Sequence, residues 1–366
     1  MSETKKILKK AEDSVDISPD EALSLLNITG KDFTALQQTA DQICFEKKNN
    51  LVSFVINRNI NFTNICYQGC KFCSFSVSNK SEESFLKTIE EIREAVIEAK
   101  IANCTEVCIQ GGINPELDFE YYLKILKIVK EVNSAIHTHA FSPQEVFHMS
   151  KLYETSIKNV LEELKSAGLD SMPGTAAEIL VDDIRKVICP NKINTSQWID
   201  IIKIAHELGI PTTSTMMYGH IEDLQDRVKH LEVLRNIQKE TSGFTEFVPL
   251  PFVSQNPLLS KLTDFPLKPS YGMADLKLFA VSRIFFNNYI DNIQCSWVKL
   301  GPKFAQVSLN YGVNDFSGTL MEENISRSAG ADYGEYLSPE RIISIIKAAG
   351  KKPVQRDTLY NLLKFY

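Results

Sequence analysis

Three cysteines, Cys66, Cys70 and Cys73, fall within the segment NICYQGCKFCS at a spacing of C-x3-C-x2-C. Iron–sulfur clusters are held by cysteine thiolates, and a fully ligated cubane of four irons takes four of them. A compact set of three leaves one iron without a protein ligand, free to bind and activate a substrate or cofactor. A structural zinc site is the plainer alternative, but it wants a fourth ligand at short spacing, often a second cysteine pair or a histidine pair. No second C-x2-C is present, and the nearest histidine, His137, is far along the chain. The other five cysteines (Cys44, Cys104, Cys108, Cys189, Cys295) are scattered. A disulfide framework is not expected in a long chain with no secretory signal.

The elements that must position these thiols alternate between short apolar strands and amphipathic helices. Candidate strands are 53–63, 106–111, 135–139, 169–172, 212–217, 244–250, 293–298 and 315–320, with helices in most gaps. The clearest helix is 196–208, where Trp198, Ile201, Ile202, Ala205 and Leu208 share a stripe, with Gly209 at the expected C-terminal cap. This alternation argues for parallel strands with crossover helices, an α/β fold. Eight such strands close a (β/α)8 TIM-type barrel; six make an open partial barrel. Residues 1–50 read as an N-terminal helical extension, with a capping box at Ser18-Pro-Asp-Glu21 and a second helix from about Asp32 to Cys44. Residues 51–290 are expected to form the core barrel, and 291–366 to complete and cap it. Residues 254–271 hold three prolines and little periodicity, as either an ordered loop over the barrel mouth or a long surface connection.

In parallel barrels the chemistry gathers at the C-terminal ends of strands, and several strand ends here are unusual. The second ends in Gln110-Gly111-Gly112, whose glycines permit close backbone approach. The third carries His137 and His139, which should face one side, and then a capping box at Ser142-Pro-Gln-Glu145. His139 is a candidate for hydrogen bonding to substrate or a satisfied core histidine. Beyond the fourth lies Glu178, either an acceptor for sugar hydroxyls or a first-turn helix stabiliser. The fifth ends near Tyr218. The sixth contains Glu246 among apolar neighbours, costly there unless paired or bound to a ligand. The dense polar stretch 318–330 is either a solvated cap or a substrate-facing loop.

A formal charge of −6 favours neither nucleic acid nor an anionic membrane as partner. The 43% hydrophobic and 23% charged content is that of a globular protein with a large core. No run approaches a transmembrane helix, and the basic start lacks the apolar region of a signal peptide, so a reducing cytoplasmic location is expected.

The cysteine spacing after a strand resembles the radical S-adenosylmethionine (SAM) superfamily. The segments NRNINFTNIC, EVCIQGGINPELD, HAFSPQEV, DSMPGTAAEIL, ICPNK, TTSTMMYGH, GFTEFVPLPF, IQCSWVKLG and GTLMEENISRSAGA resemble, from about residue 20 onward, one branch of it. That branch includes aminofutalosine synthase, dehypoxanthine futalosine cyclase and both halves of the deazaflavin chromophore synthase. The likeness is greatest to the family of second subunits of 7,8-didemethyl-8-hydroxy-5-deazariboflavin synthase; Ser74 departs from it, where alanine is more usual. The resemblance implies one 4Fe-4S cluster on Cys66, Cys70 and Cys73. It implies SAM held by Phe72, Gln110, Gly111, Gly112 and Glu178, and makes His139, Glu246 and Tyr218 substrate-contact candidates. It further implies a transferase: a 5′-deoxyadenosyl radical takes a hydrogen atom from L-tyrosine, the Cα–Cβ bond breaks, and the 4-hydroxybenzyl fragment joins 5-amino-6-(D-ribitylamino)uracil. An electron donor and the first synthase subunit would be its functional partners. A futalosine-type enzyme of the same branch and a regulatory protein without turnover are the rival readings.

Overall fold

The computed structural model describes residues 2–366. Three helices lead: α1 (Glu3–Glu12), α2 (Pro19–Asn27) and α3 (Lys31–Lys48). The capping box at Ser18 forms as expected, with Pro19 in the first turn. Strands β1 (Leu51–Val55), β2 (Asn57–Asn61), β3 (Glu106–Gln110), β4 (His137–Ala140), β5 (Thr212–Tyr218), β6 (Phe244–Pro251), β7 (Asp315–Gly318), β8 (Lys352–Arg356) and β9 (Leu362–Phe365) follow. Between them lie α4 (Ile89–Ile101), α5 (Phe119–Val132), α6 (Pro143–Leu152), α7 (Ile157–Ala167), α8 (Asp182–Ile188), α9 (Thr195–Glu207), α10 (Leu224–Thr241), α11 (Gly272–Phe285), α12 (Trp297–Leu300), α13 (Pro302–Ser308), α14 (Asn324–Ser328) and α15 (Pro339–Ala348).

β1 and β2 are two halves of one strand. β2 pairs with β3 and β3 with β4, all parallel. Short parallel bridges carry the ring onward through His139–Ser171 and Met172–Thr212, then from β6 through Phe247–Ile293 and Gln294–Asp315. β5 pairs with β6 and β7 with β1. The ring closes where the Asn59 amide donates to the Leu320 carbonyl at 2.6 Å. The result is a closed (β/α)8 barrel. Its strands are buried on both faces, because helices cover the outside and side chains fill the inside. The helices supply that cover through apolar stripes such as Tyr122, Leu123, Ile125, Leu126 and Val129 of α5.

The stretch expected as a strand at 293–298 pairs only at Ile293 and Gln294, then turns into α12. In that helical turn the Trp297 indole is fully buried and donates to the Gly318 carbonyl at 2.8 Å. β8 also lies outside the expected strands. It runs parallel to β1, from Leu51 opposite Lys352 to Val55 opposite Arg356, and β9 folds back against it. Because β3 occupies the β2 half of that strand, the β8–β9 hairpin covers the opposite, N-terminal end of the barrel. Residues 254–271 form a connection that packs on the cysteine loop and the 328–329 turn, though none of them lines the cavity. Leu259 is fully buried and its amide donates to the Lys71 carbonyl of the cysteine loop at 2.8 Å. Asn256 bonds the Ser328 and Ala329 carbonyls.

Candidate active site

The cysteine loop leaves β2 and is fixed from three sides. The Cys66 amide donates to Val77, the Tyr67 amide to Ile113 beyond the glycine turn, and the Lys71 amide to Ile188 at 2.8 Å. The Asn191 side chain donates to the Gln68 carbonyl at 3.0 Å, and Gly69 takes the left-handed conformation (φ 63°) that bends the chain between the first two thiols. The segment ICPNK is therefore a backrest for the loop. Gly112 is needed for packing rather than for its φ: a Cβ there would stand 2.2 Å from the Ile65 carbonyl oxygen. Gly112→Ala should cost about 1–3 kcal/mol by overpacking, lowering the thermal midpoint and cutting bound iron at least by half after reconstitution. A variant with the iron content and midpoint of the parent would show that the loop does not depend on this contact.

All three thiols line one cavity of about 410 Å³, a volume ordinary for a small-molecule site. All are free, and no three His, Cys, Asp or Glu side chains among the described residues converge on a single ion. A cubane asks for a different geometry, one thiolate on each of three separate irons, and a three-thiol loop open to a cavity fits it. The buried Gln68 Oε1 and Ser74 Oγ, both lining the cavity, have no protein partner and remain available to what binds there. Burial pushes the Cys66 thiol up, and thiols must lose protons to ligate metal.

Around this end stand Phe72, Gln110, Gly111, Gly112 and Glu178, all lining the same cavity. Glu178 is not in a helical first turn. It precedes α8, adopts a left-handed φ of 47°, and pairs with Lys192 at 2.6 Å. The Lys192 ammonium also stands 5.4 Å over the Phe72 ring. Burial opposes the charge on Glu178, but Lys192 holds its carboxyl below the usual range. The capping box at Ser142 forms, and the free oxygen of Glu145 accepts from the Gly111 amide at 3.1 Å. Burial pushes the Glu145 carboxyl up to about 7 against the three donors it accepts from.

The far end of the cavity is a polar floor. His139 lines it, with Nδ1 2.7 Å from Ser171 Oγ; His137 Nε2 meets the same hydroxyl at 2.7 Å, so the two rings share a side but His137 stays outside the lining. Burial lowers the His139 pKa to about 4, which keeps the ring neutral near pH 7. Glu246 also lines the floor. It accepts from Gln294 at 3.0 Å, from Arg356 at 3.5 Å and from the Tyr360 hydroxyl. Burial pushes its carboxyl up to about 7. Arg356 holds Asp315 bidentately, at 2.5 and 3.1 Å, and stacks 4.0 Å over the Tyr360 ring. Tyr218 is not in the lining. It is fully buried in the outer wall, with the Arg227 guanidinium of α10 5.1 Å from its ring.

Two further charged residues line the cavity near the cysteine end, Lys299 just after α12 begins and Glu323 at the cap of α14. Burial lowers the Lys299 pKa, opposed by the nearby carboxylates of Glu323 and Glu178. Sequence reasoning missed Lys192, Lys299, Glu323, Arg356 and Tyr360. A lysine amid apolar residues just past a strand end, as in CSWVKLG, is the signal that would have singled out Lys299.

Comparison with known proteins agrees with this architecture. The pattern of the Radical SAM superfamily matches residues 60–234, and that of the CofH/MqnC C-terminal region matches 241–365. A 5-amino-6-(D-ribitylamino)uracil–L-tyrosine 4-hydroxyphenyl transferase of Archaeoglobus fulgidus is 51% identical over 324 residues, covering 88% of this chain and 92% of that one. The protein of the same name from Methanopyrus kandleri is 50% identical, covering 95% and 94%. Among solved structures, methylornithine synthase (PylB) superposes with a TM-score of 0.75 at 16% identity, over 95% of this chain and 97% of that chain. The hydrogenase maturase HydG gives 0.76 at 18%, over 96% and 76%. At those identities the two structures speak to the fold alone.

Proposed function

The chain belongs to the radical SAM superfamily, within the family of its uracil–tyrosine transferase relatives, and we propose on that footing that it joins the 4-hydroxybenzyl group of L-tyrosine to 5-amino-6-(D-ribitylamino)uracil. The conversion serves deazaflavin coenzyme synthesis and releases 2-iminoacetate, methionine and 5′-deoxyadenosine. The observation that carries this reading is identity of about half, over most of both chains, to relatives bearing that name. A cluster and SAM supply, when bound, the one-electron chemistry that removes a hydrogen atom from the amino acid.

The chain's own residues do the rest. Cys66, Cys70 and Cys73 are the thiolate ligands. Phe72, the turn Gln110–Gly112 and Glu178 would hold SAM, the aromatic ring offering a face for its adenine and the Glu178 carboxylate an acceptor for its ribose hydroxyls. Lys192 keeps that carboxylate ionised and in place. Neutral His139 and the Glu246 floor orient the polar substrate. The loop at 254–271 ties the cysteine loop to the 328–329 turn and so steadies the surroundings of the cavity. An electron donor and the first deazariboflavin synthase subunit, which closes the ring, complete the sequence. A reducing cytoplasm suits an oxygen-sensitive cluster, and no helix among the described residues is long and apolar enough to cross a membrane.

Anaerobic incubation with reductant, SAM, tyrosine and the ribitylaminouracil should consume both substrates and give their 4-hydroxybenzyl adduct by mass spectrometry. Turnover of a futalosine-type substrate in place of this pair would assign the chain to the sibling activity instead.

A further inference from the structure

Three cations line the cavity among the described residues: Lys192, Lys299 and Arg356. Lys192 is taken by Glu178 and Arg356 by Asp315. The Lys299 ammonium alone has neither an ion pair nor a hydrogen bond to any described residue, although its stem is buried in the wall. The side chain is half-buried, so its ammonium keeps access to the cavity and can meet a ligand there.

Glu323 stands close by, near enough to be the leading negative charge that Lys299 feels, yet beyond ion-pair distance. Among the described residues its one donor is the Ser326 amide, shared by both oxygens at 2.9 and 3.2 Å as the cap of α14, which leaves lone pairs for a ligand. The turn that delivers it is held under strain. Leu320, Met321 and Glu322 take left-handed φ values of 66°, 51° and 88° in succession, at about 1–3 kcal/mol each for non-glycine residues. The first strand fixes this turn: the Asn59 amide bonds the Leu320 carbonyl, Asn57 Oδ1 accepts from the Leu320 amide at 2.9 Å, and Arg58 pairs with Glu322 at 3.0 Å. An ammonium without a partner among the described residues and a carboxylate with one shared donor, both lining one cavity, offer the two charges a zwitterionic amino acid needs.

We infer that Lys299 and Glu323 form a clamp for the amino-acid substrate, Lys299 on its α-carboxylate and Glu323 on its α-ammonium. This rests on the tyrosine reading above. The methionine end of SAM offers the same zwitterion, but both clamp residues lie in the branch-specific region 241–365. The residues placed around SAM lie within 60–234, the part common to the superfamily.

The test measures equilibrium binding of radiolabelled L-tyrosine and, separately, of SAM to the reconstituted protein, for the parent, Lys299→Met, Lys299→Arg and Glu323→Gln. Tyramine, which lacks the carboxylate, and 3-(4-hydroxyphenyl)propionate, which lacks the ammonium, serve as competitors. Lys299→Met should weaken tyrosine binding about tenfold or more and erase the preference for tyrosine over tyramine. Lys299→Arg should restore part of both. Glu323→Gln should erase the preference over the propionate instead. SAM affinity and iron content should stay within about twofold of the parent throughout, which separates a lost contact from a lost fold. Unchanged tyrosine affinity in Lys299→Met and Glu323→Gln, or a loss confined to SAM, would overturn the clamp. A parent protein that binds no tyrosine at all would overturn the function on which the clamp rests.

Discussion

Cys70→Ala protein, reconstituted with iron and sulfide, will hold no four-iron cluster and will form no 5′-deoxyadenosine from SAM. Cys66→Ala and Cys73→Ala will behave alike. The three thiols belong to one loop, open on one cavity, and each must bind a separate iron, so none can stand in for another. Outside the loop, Cys189 is the thiol close enough to interact with Cys70, but it is buried behind the loop and outside the cavity lining, so it should not replace the lost ligand. Cys104→Ala and Cys295→Ala remove thiols buried elsewhere in the core and should leave most of the turnover in place. Iron and sulfide analysis together with chromatography of SAM products reads both arms. Formation of 5′-deoxyadenosine by Cys70→Ala would refute the ligand assignment.

The second large effect is on stability. Arg356→Met should destabilise the protein by about 3–5 kcal/mol, seen as a lower denaturant midpoint, because breaking a buried ion pair leaves its partner charge uncompensated. Here two carboxylates are affected: Asp315, held bidentately, and Glu246, held by one guanidinium nitrogen. Asp315→Asn combined with Arg356→Met should cost clearly less than the sum of the two single changes, since both act on one network. Additive costs would show that the plug of the barrel floor is not held by this pair. The loss should reach the cavity too, because Arg356, Glu246 and Gln294 form its floor.

The parts of this fold that could be read from the sequence were those with local chemistry. The cysteine spacing, the Gln110–Gly112 turn and the capping boxes at Ser18 and Ser142 are each written within a few residues, and all formed where expected. All eight barrel strands were recognisable as apolar runs between amphipathic helices, although 169–172 and 293–298 keep only short bridges. What could not be read was pairing across sequence distance. Glu246 looked expensive because Arg356 and Tyr360, which satisfy it, arrive more than a hundred residues later on an unforeseen hairpin. Glu178 was readable as an acceptor for sugar hydroxyls or as a first-turn helix stabiliser, but nothing near it announces Lys192, which pairs with it. Tyr218 shows a different limit. Thr213, Thr215 and Met217 line the cavity, so strand alternation sends Tyr218 to the outer face. In a parallel strand buried on both faces, composition does not say which parity points inward.

The central claim is that this chain cleaves the Cα–Cβ bond of tyrosine and transfers only the benzyl fragment. Two anaerobic reactions with SAM, reductant and 5-amino-6-(D-ribitylamino)uracil test it, one with ring-labelled and one with carboxyl-labelled tyrosine. The account predicts ring label in the uracil adduct and carboxyl label in 2-iminoacetate or its hydrolysis product, glyoxylate. Carboxyl label retained in the adduct would contradict it.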